Sequence, residues 1–265
     1  MTASATTWDL GLVLPAFDEE VRLPSTLSAL SMFVKETGLT LQVVVANDGS
    51  RDRSSEVVRT FELDPNVEML VDLVDLPHAG KGSAVRAGIG RLDATVVGYC
   101  DVDLSAGIPE IRRLANRVGT DSDVVMGSRA LAGAIIPVHQ PWLRERAGRV
   151  FNRVIRFATG LPFRDTQCGL KLFSLPAARS VFENQHLDGF AFDVEVVMLA
   201  LKLGFSVEEV PIRWSHRSGS SVSMTRELVH ILKDVLRTVR YLGRIKRGTL
   251  ECEQLADGSF RCSPR

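Results

Sequence analysis

Val96-Val97-Gly98-Tyr99-Cys100-Asp101-Val102-Asp103-Leu104-Ser105 begins as an apolar run and breaks off in two carboxylates one residue apart. Read as a buried parallel strand, the run delivers Asp101 and Asp103 to its C-terminal edge, where open α/β sheets bind ligands. Two hard oxygen donors there suit a divalent cation, because Mg²⁺ is commonly held by one or two carboxylates plus substrate phosphates. A metal–diphosphate site is the first expectation. The plainer alternative is that the pair caps the next helix or opens a turn.

The flanking sequence repeats the pattern. Residues 10–16, 41–46, 67–76 and 123–127 read as further strands, and 24–35, 54–62, 83–92 and 108–118 as helices. Strands alternating with helices give an α/β fold, a doubly wound, mostly parallel sheet. The strand ends carry Pro15 and Glu19, Asn47-Asp48-Gly49-Ser50, and Asp101 with Asp103. Strands of one parallel sheet end on one side, so these groups are expected to converge on one cleft. His78-Ala79-Gly80-Lys81-Gly82 is a glycine-rich turn before a helix, without the leading glycine of a Walker loop. Residues 137–141 read as a loop.

The second half differs. An arginine-rich helix over 142–159 carries Arg144, Arg146, Arg149, Arg153 and Arg156. Residues 165–173 read as a loop feeding a strand, 192–203 as a helix and 207–214 as a strand. Across 225–247, at about 100° per residue, Arg226, Lys233, Arg237, Arg240, Arg244 and Arg247 fall within about 40° of one line. Leu228, Ile231, Leu232, Val235, Val239, Leu242 and Ile245 lie opposite. Such a two-faced helix fits a membrane surface, or else a helix packed on its own domain with a solvated basic face. The expected organisation is a catalytic domain over 8–223, an amphipathic helix over 224–248 and a flexible tail over 249–265.

Bulk properties narrow the partners. A chain of 265 residues, 45% hydrophobic and 24% charged, is an ordinary globular protein. Its formal net charge of zero gives no general attraction to nucleic acid. Cys100, Cys168, Cys252 and Cys262 form no CxxC pair, so neither a zinc site nor a disulfide framework is expected, and the compartment reads as a reducing cytoplasm. No stretch reaches the roughly 20 apolar residues of a membrane span. The expected location is cytoplasmic, peripheral at the inner face of the membrane.

Val13-Leu14-Pro15-Ala16-Phe17-Asp18-Glu19-Glu20, Asn47-Asp48-Gly49-Ser50, Gly80-Lys81-Gly82, Asp101-Val102-Asp103 and Gly127-Ser128-Arg129, in this order, resemble family 2 glycosyltransferases of the GT-A fold. Asp165-Thr166-Gln167-Cys168-Gly169-Leu170-Lys171-Leu172-Phe173, Phe192-Asp193-Val194-Glu195 and Val210-Pro211-Ile212-Arg213-Trp214 look like the dolichyl- or polyprenyl-phosphate glucosyltransferase branch. The resemblance covers residues 10–223. Asn47, Val102 and Asp18 depart from the family's usual residues.

The resemblance implies an inverting transfer of a hexose, glucose by preference, from a UDP-sugar to a polyprenyl phosphate. Pro15, Ala16 and Glu19 would line the base and ribose pocket, and Asp48 would accept from the uracil or ribose. Gly80 and Lys81 would approach the phosphates, with Arg129 and Lys171 as further phosphate contacts. Asp103 would bind Mg²⁺ or Mn²⁺ directly, and Asp101 the ribose or the metal. Gln167, Asp165 and Asp193 would face the sugar or acceptor, the two acids as candidate bases. A hydroxyl acceptor needs such a base. A phosphate monoester, with a second pKa of about 6, does not. The alternatives are a small-molecule hydroxyl acceptor, a nucleotidyltransferase and a silent nucleotide-sugar-binding module.

Overall fold

The structure is a computed structural model and describes residues 8–139, 142–217 and 224–265. The side chains of Leu143, Arg144, residues 224–229 and Arg247 lie outside the described set, as do residues 218–223. The elements run β1 (Trp8–Ala16), α1 (Leu23–Thr37), β2 (Leu41–Asn47), α2 (Ser54–Arg59), β3 (Met69–Asp75), α3 (Lys81–Ile89), β4 (Ala94–Tyr99), α4 (Ile108–Ala115) and β5 (Val124–Ser128). Then follow β6 (Ile135–Val138), α5 (Trp142–Thr159), β7 (Lys171–Ser174), α6 (Leu175–Glu183), α7 (Phe192–Lys202), β8 (Val207–Pro211), β9 (Arg213–Ser215), α8 (Met224–Leu242), β10 (Leu250–Gln254) and β11 (Phe260–Pro264).

Nine strands form one sheet in the order β10-β11-β8-β5-β7-β4-β1-β2-β3. The pairs β1–β2, β2–β3, β1–β4 and β5–β8 are parallel. β7 runs antiparallel to both β4 and β5, placing Lys171 beside Tyr99 and Met126. A reversed strand starts where its neighbours end. The segment before Lys171 therefore reaches the same edge as the segment after Tyr99.

The central strands are buried on both faces because helices cover both. α1, α2 and α4 pack one side through Leu27, Leu30, Val58, Ile111 and Leu114. α3, α5, α6, α7 and α8 pack the other through Val85, Ile155, Val181, Val197, Ile231 and Val235. β6, whose last two residues fall in the expected 137–141 loop, pairs with β9 as a two-stranded sheet.

Three expectations for the C-terminal part are corrected. The last helix ends at Leu242, so Arg244 and Arg247 lie beyond it. Its apolar side packs inward, with Val235 fully buried and Ile231 8% exposed, so that face is not available to a membrane. The tail is an ordered hairpin: β10 and β11 pair antiparallel, β11 joins β8, and Cys252 and Cys262 form a disulfide across directly opposed positions. The polar alternation of Leu250-Glu251-Cys252-Glu253-Gln254 marks a half-exposed edge strand rather than a loose tail.

Candidate active site

Asp101 and Asp103 lie in a tight turn just beyond β4. Leu104 adopts φ +49°, a left-handed conformation rare outside glycine, so the turn holds a strained residue. Val102 is buried against α1, and its carbonyl accepts the Thr26 hydroxyl at 2.5 Å. This anchor sends the two flanking carboxylates outward. Asp103 accepts the Ser105 N–H at 2.9 Å through Oδ1, leaving Oδ2 without a hydrogen bond among the described residues.

Asp101 is already paired. Lys81, the first residue of α3, places Nζ 2.6 Å from its Oδ1. Burial opposes the ammonium charge, but Asp101 and Asp193 outweigh it and raise the Lys81 pKa. Gly169 abuts Asp101 so closely that any side chain there would strike the carboxylate. Glu19 accepts both hydrogen bonds of Arg22 Nη1, at 3.0 and 2.8 Å. Its pKa is nonetheless raised, first by burial and then by the negative charges of Asp103 and Asp101. The cluster thus carries uncompensated negative charge, the condition a divalent cation relieves. Among the described residues no three His, Cys, Asp or Glu side chains form a complete metal site. Two carboxylates completed by phosphate oxygens fit Mg²⁺ or Mn²⁺ better than an all-protein cage.

The neighbouring strand ends are more occupied than expected. Asp48 is buried, and it accepts the N–H groups of Ala79 (2.8 Å) and Gly80 (3.0 Å) and bonds His78 Nδ1 at 2.9 Å. Both oxygens thus hold the 78–80 turn. Asn47 donates to Asp75 at 2.8 Å and Ser55 at 2.7 Å, which ties β2 to β3 and α2. Pro15 is half-buried and Ala16 fully buried at the end of β1, beneath the loop. Gly80 and Gly82 lie against the Asp188 and Leu187 carbonyls, so a side chain at either would collide with backbone.

On the other side of Asp101, Arg129 Nε and Nη2 donate to Asp165 at 2.7 and 2.8 Å, and the Arg129 N–H adds a third bond at 3.0 Å. Burial would raise the Asp165 pKa, but Arg129 wins and lowers it. Beneath it, Glu209 accepts the Asp165 N–H at 2.7 Å and the Ser128 hydroxyl at 2.8 Å. Gln167 is half-buried, and its side-chain amide makes no hydrogen bond among the described residues.

Lys171 and Asp193, expected as phosphate contact and base, are not at the surface. Both side chains are buried and form an ion pair, Lys171 also donates to the Cys168 carbonyl at 2.8 Å, and Tyr99 donates to Asp193 at 2.6 Å. The three groups pin the 165–170 segment to β4 and α7. Cys168 is buried, its thiol pushed up to about 11 by burial, which leaves it a packing residue.

Nothing in the sequence assigned a site role to Arg217 or Arg22, and isolated His216 read as a surface or structural residue. Together with Ser25, Thr26 and Asp103 they line an open cleft of about 520 Å³. The available signal was position alone: His216-Arg217 follows directly on β9.

Solved structures share this architecture. A glucosyl-3-phosphoglycerate synthase from Mycobacterium tuberculosis, crystallised with Mn²⁺, UDP and glucosyl-3-phosphoglycerate, aligns with a TM-score of 0.64 at 17% identity, over 94% of this chain and 85% of its own. A mannosyl-3-phosphoglycerate synthase from Rubrobacter xylanophilus aligns with a TM-score of 0.65 at 17% identity, over 97% and 85%. These likenesses show a GT-A fold. The model of glycosyl transferase family 2 matches residues 12–182, and the chain belongs to that family. Among its relatives are a dolichyl-phosphate beta-glucosyltransferase of Trichomonas vaginalis, 30% identical over 86% of this chain and 72% of that protein, and one of Homo sapiens, 28% identical over 89% and 78%.

Proposed function

We propose that the protein transfers a hexose, glucose by preference, from a UDP-sugar to a polyprenyl phosphate with inversion at the anomeric carbon. The observation that carries the acceptor assignment is the state of the two expected bases. Asp165 is held by Arg129 and Asp193 by Lys171, so neither is free to take a proton from a hydroxyl. A phosphate monoester is largely dianionic near neutral pH and attacks without a base. It needs cations, which the arginine-rich α5 would supply. The names of the family relatives support the same acceptor class.

Asp103, with its open oxygen, would be the direct ligand of Mg²⁺ or Mn²⁺, and Asp101 a weaker one because Lys81 neutralises it. The cation would neutralise charge on the departing diphosphate. Lys81, Arg22 and Arg217 would supply further positive charge around that leaving group. Glu19, Pro15 and Gly80 would border the nucleoside, and Gln167 the sugar. No helix among the described residues is long and apolar enough to cross a membrane.

The test is incubation of the full chain with UDP-glucose, Mn²⁺ and polyprenyl phosphate in parallel with small hydroxyl acceptors. A lipid-linked sugar with release of UDP is expected. Transfer to hydroxyls alone would overturn the acceptor assignment, and release of pyrophosphate would indicate nucleotidyl transfer instead.

A further inference from the structure

The Nε atom of Arg156 is buried and has no hydrogen-bond partner among the described residues. An unsatisfied donor on a charged group is costly, and an anion in an adjoining hollow would offset the unpaired guanidinium charge. Arg156 stands on the wall between two hollows at the C-terminal end of α5. One, about 650 Å³, is lined by Arg153, Arg156, Phe157, Gly160, Arg244 and Lys246, together with Ile245. It holds four cations and no carboxylate. The other, about 480 Å³, shares Arg156 and adds Arg164; its carboxylate, Glu209, is engaged by Ser128 and by the backbone N–H groups of Arg164 and Asp165. On a chain of zero net charge this is a pronounced local excess.

The walls are built rather than incidental. The Ile245 N–H donates to the Thr159 carbonyl at 2.8 Å, and Gly160, at φ +79°, lies so close to the Ile245 carbonyl that only glycine fits. Arg244 donates to the Phe157 carbonyl at 2.6 Å and lies over the Phe157 ring at 5.6 Å. The rim is apolar. Val150, Val154 and Phe157, spaced four and three residues apart on one face of α5, are 57%, 39% and 80% exposed. Exposed Arg146, Arg149 and Arg153 flank them. Apolar side chains bordered by arginines suit the plane where lipid headgroups meet acyl chains. A free anion would have no use for that rim.

We propose that this cleft docks the phosphate headgroup of an anionic phospholipid, with Arg156 as its central ligand and Phe157 entering the interface. The site shares no lining residue with the cleft around Asp103, and it holds whichever acceptor the enzyme uses. The experiment is flotation of the full chain with vesicles of phosphatidylcholine alone or with phosphatidylglycerol added, alongside calorimetric titration with inorganic phosphate. Binding is expected only when phosphatidylglycerol is present. Replacing Arg156, Arg244 and Lys246 together by Met should weaken it about a hundredfold, since each cation near an anionic surface contributes roughly a fivefold share. Arg156→Lys should recover part of the loss seen in Arg156→Met. Phe157→Ser, at a position exposed enough to spare the fold, should weaken vesicle binding while leaving the melting temperature in place. Unchanged vesicle binding in the triple variant or in Phe157→Ser would overturn the proposal, as would no binding by the wild type. Inorganic phosphate binding as strongly as the vesicles would make a free anion the occupant and overturn the lipid assignment.

Discussion

Arg129 grips both oxygens of Asp165, with Nε 2.7 Å from one and Nη2 2.8 Å from the other, and adds its own backbone N–H to the first. The pair is a clamp between the end of β5 and the segment that enters β7. It fixes the loop on which Gln167 and Gly169 stand.

Asp165→Asn should therefore behave as a clamp variant, not a base variant. Leaving Arg129 partly buried and unpaired should cost about 2–3 kcal/mol, below the fully buried range because Arg129 keeps some solvent access. Turnover of the folded protein should fall less than the 10²–10⁴-fold expected on losing a general base. Thermal melts and kcat on the same sample decide it; a thousandfold drop in kcat with an unchanged melting temperature would restore Asp165 as the base.

The same clamp sets an acid limit. Asp165 has its pKa lowered in the folded state from an ordinary 3.8, so its stabilisation is complete above 3.8 and is lost as pH falls through the lower folded value. The stability gap between wild type and Asp165→Asn should be flat at neutral pH and shrink below pH 3.8. A gap independent of pH down to full acid unfolding would refute the assignment.

Asp103→Asn should abolish Mn²⁺-dependent turnover, a fall of roughly 10³-fold for a lost metal worth several kcal/mol. Mn²⁺ affinity, read by electron paramagnetic resonance in the presence of UDP, should fall with it. Glu19 adds a pH signature. Its pKa is raised above 4.5 by burial and by the Asp103 and Asp101 charges, and a cation favours its ionised form. Mn²⁺ affinity should weaken as pH drops toward that value, and Glu19→Gln should flatten the profile.

Gly169→Ala places a methyl group against the Asp101 carboxylate. The loop cannot retreat, because Lys171 fastens the Cys168 carbonyl from below. A displaced carboxylate of about 1 Å is expected to reduce turnover about a hundredfold. Measured kcat close to wild type would show that Asp101 tolerates the shift and lies outside the reacting geometry.

Tyr241→Phe tests a longer connection. The Tyr241 hydroxyl on α8 donates to Glu195, and Glu195 accepts the N–H groups of His186 and Leu187 at 3.0 and 2.8 Å. Those residues lead to Asp188, whose carbonyl accepts the Ser83 N–H at 3.1 Å beside the Gly80-Lys81-Gly82 turn. Losing the hydroxyl should cost about 1 kcal/mol of stability and raise the donor KM several-fold with little change in kcat. A stability loss alone, with KM untouched, would reduce Tyr241 to a packing role.

Much of the sheet was legible because buried parallel strands are continuous apolar runs closed by turn residues, as in 41–47 and 94–101. The reversal of β7 was not, because Lys171-Leu172-Phe173-Ser174 carries no mark of direction. The acid pair at Asp101 and Asp103 was legible as charge ending an apolar run. The burial of Lys171 was not, since its partner Asp193 is 22 residues away and meets it only where the first turn of α7 reaches the start of β7. Periodicity found the two faces of α8 but not what covers the apolar one. Polar alternation concealed β10, because a strand at the sheet's margin shows half of itself to water.

The terminal hairpin has a colloidal consequence. β11 occupies the hydrogen-bonding edge of β8, and Arg117 ties the hairpin turn at Asp257 to Glu208 on that strand. Without residues 250–264 the row of β8 amides and carbonyls would face solvent beside Val207 and Val210, an invitation to strand exchange with a second copy. The last turn of this fold works as a selvedge: it keeps the woven edge from catching on its neighbours.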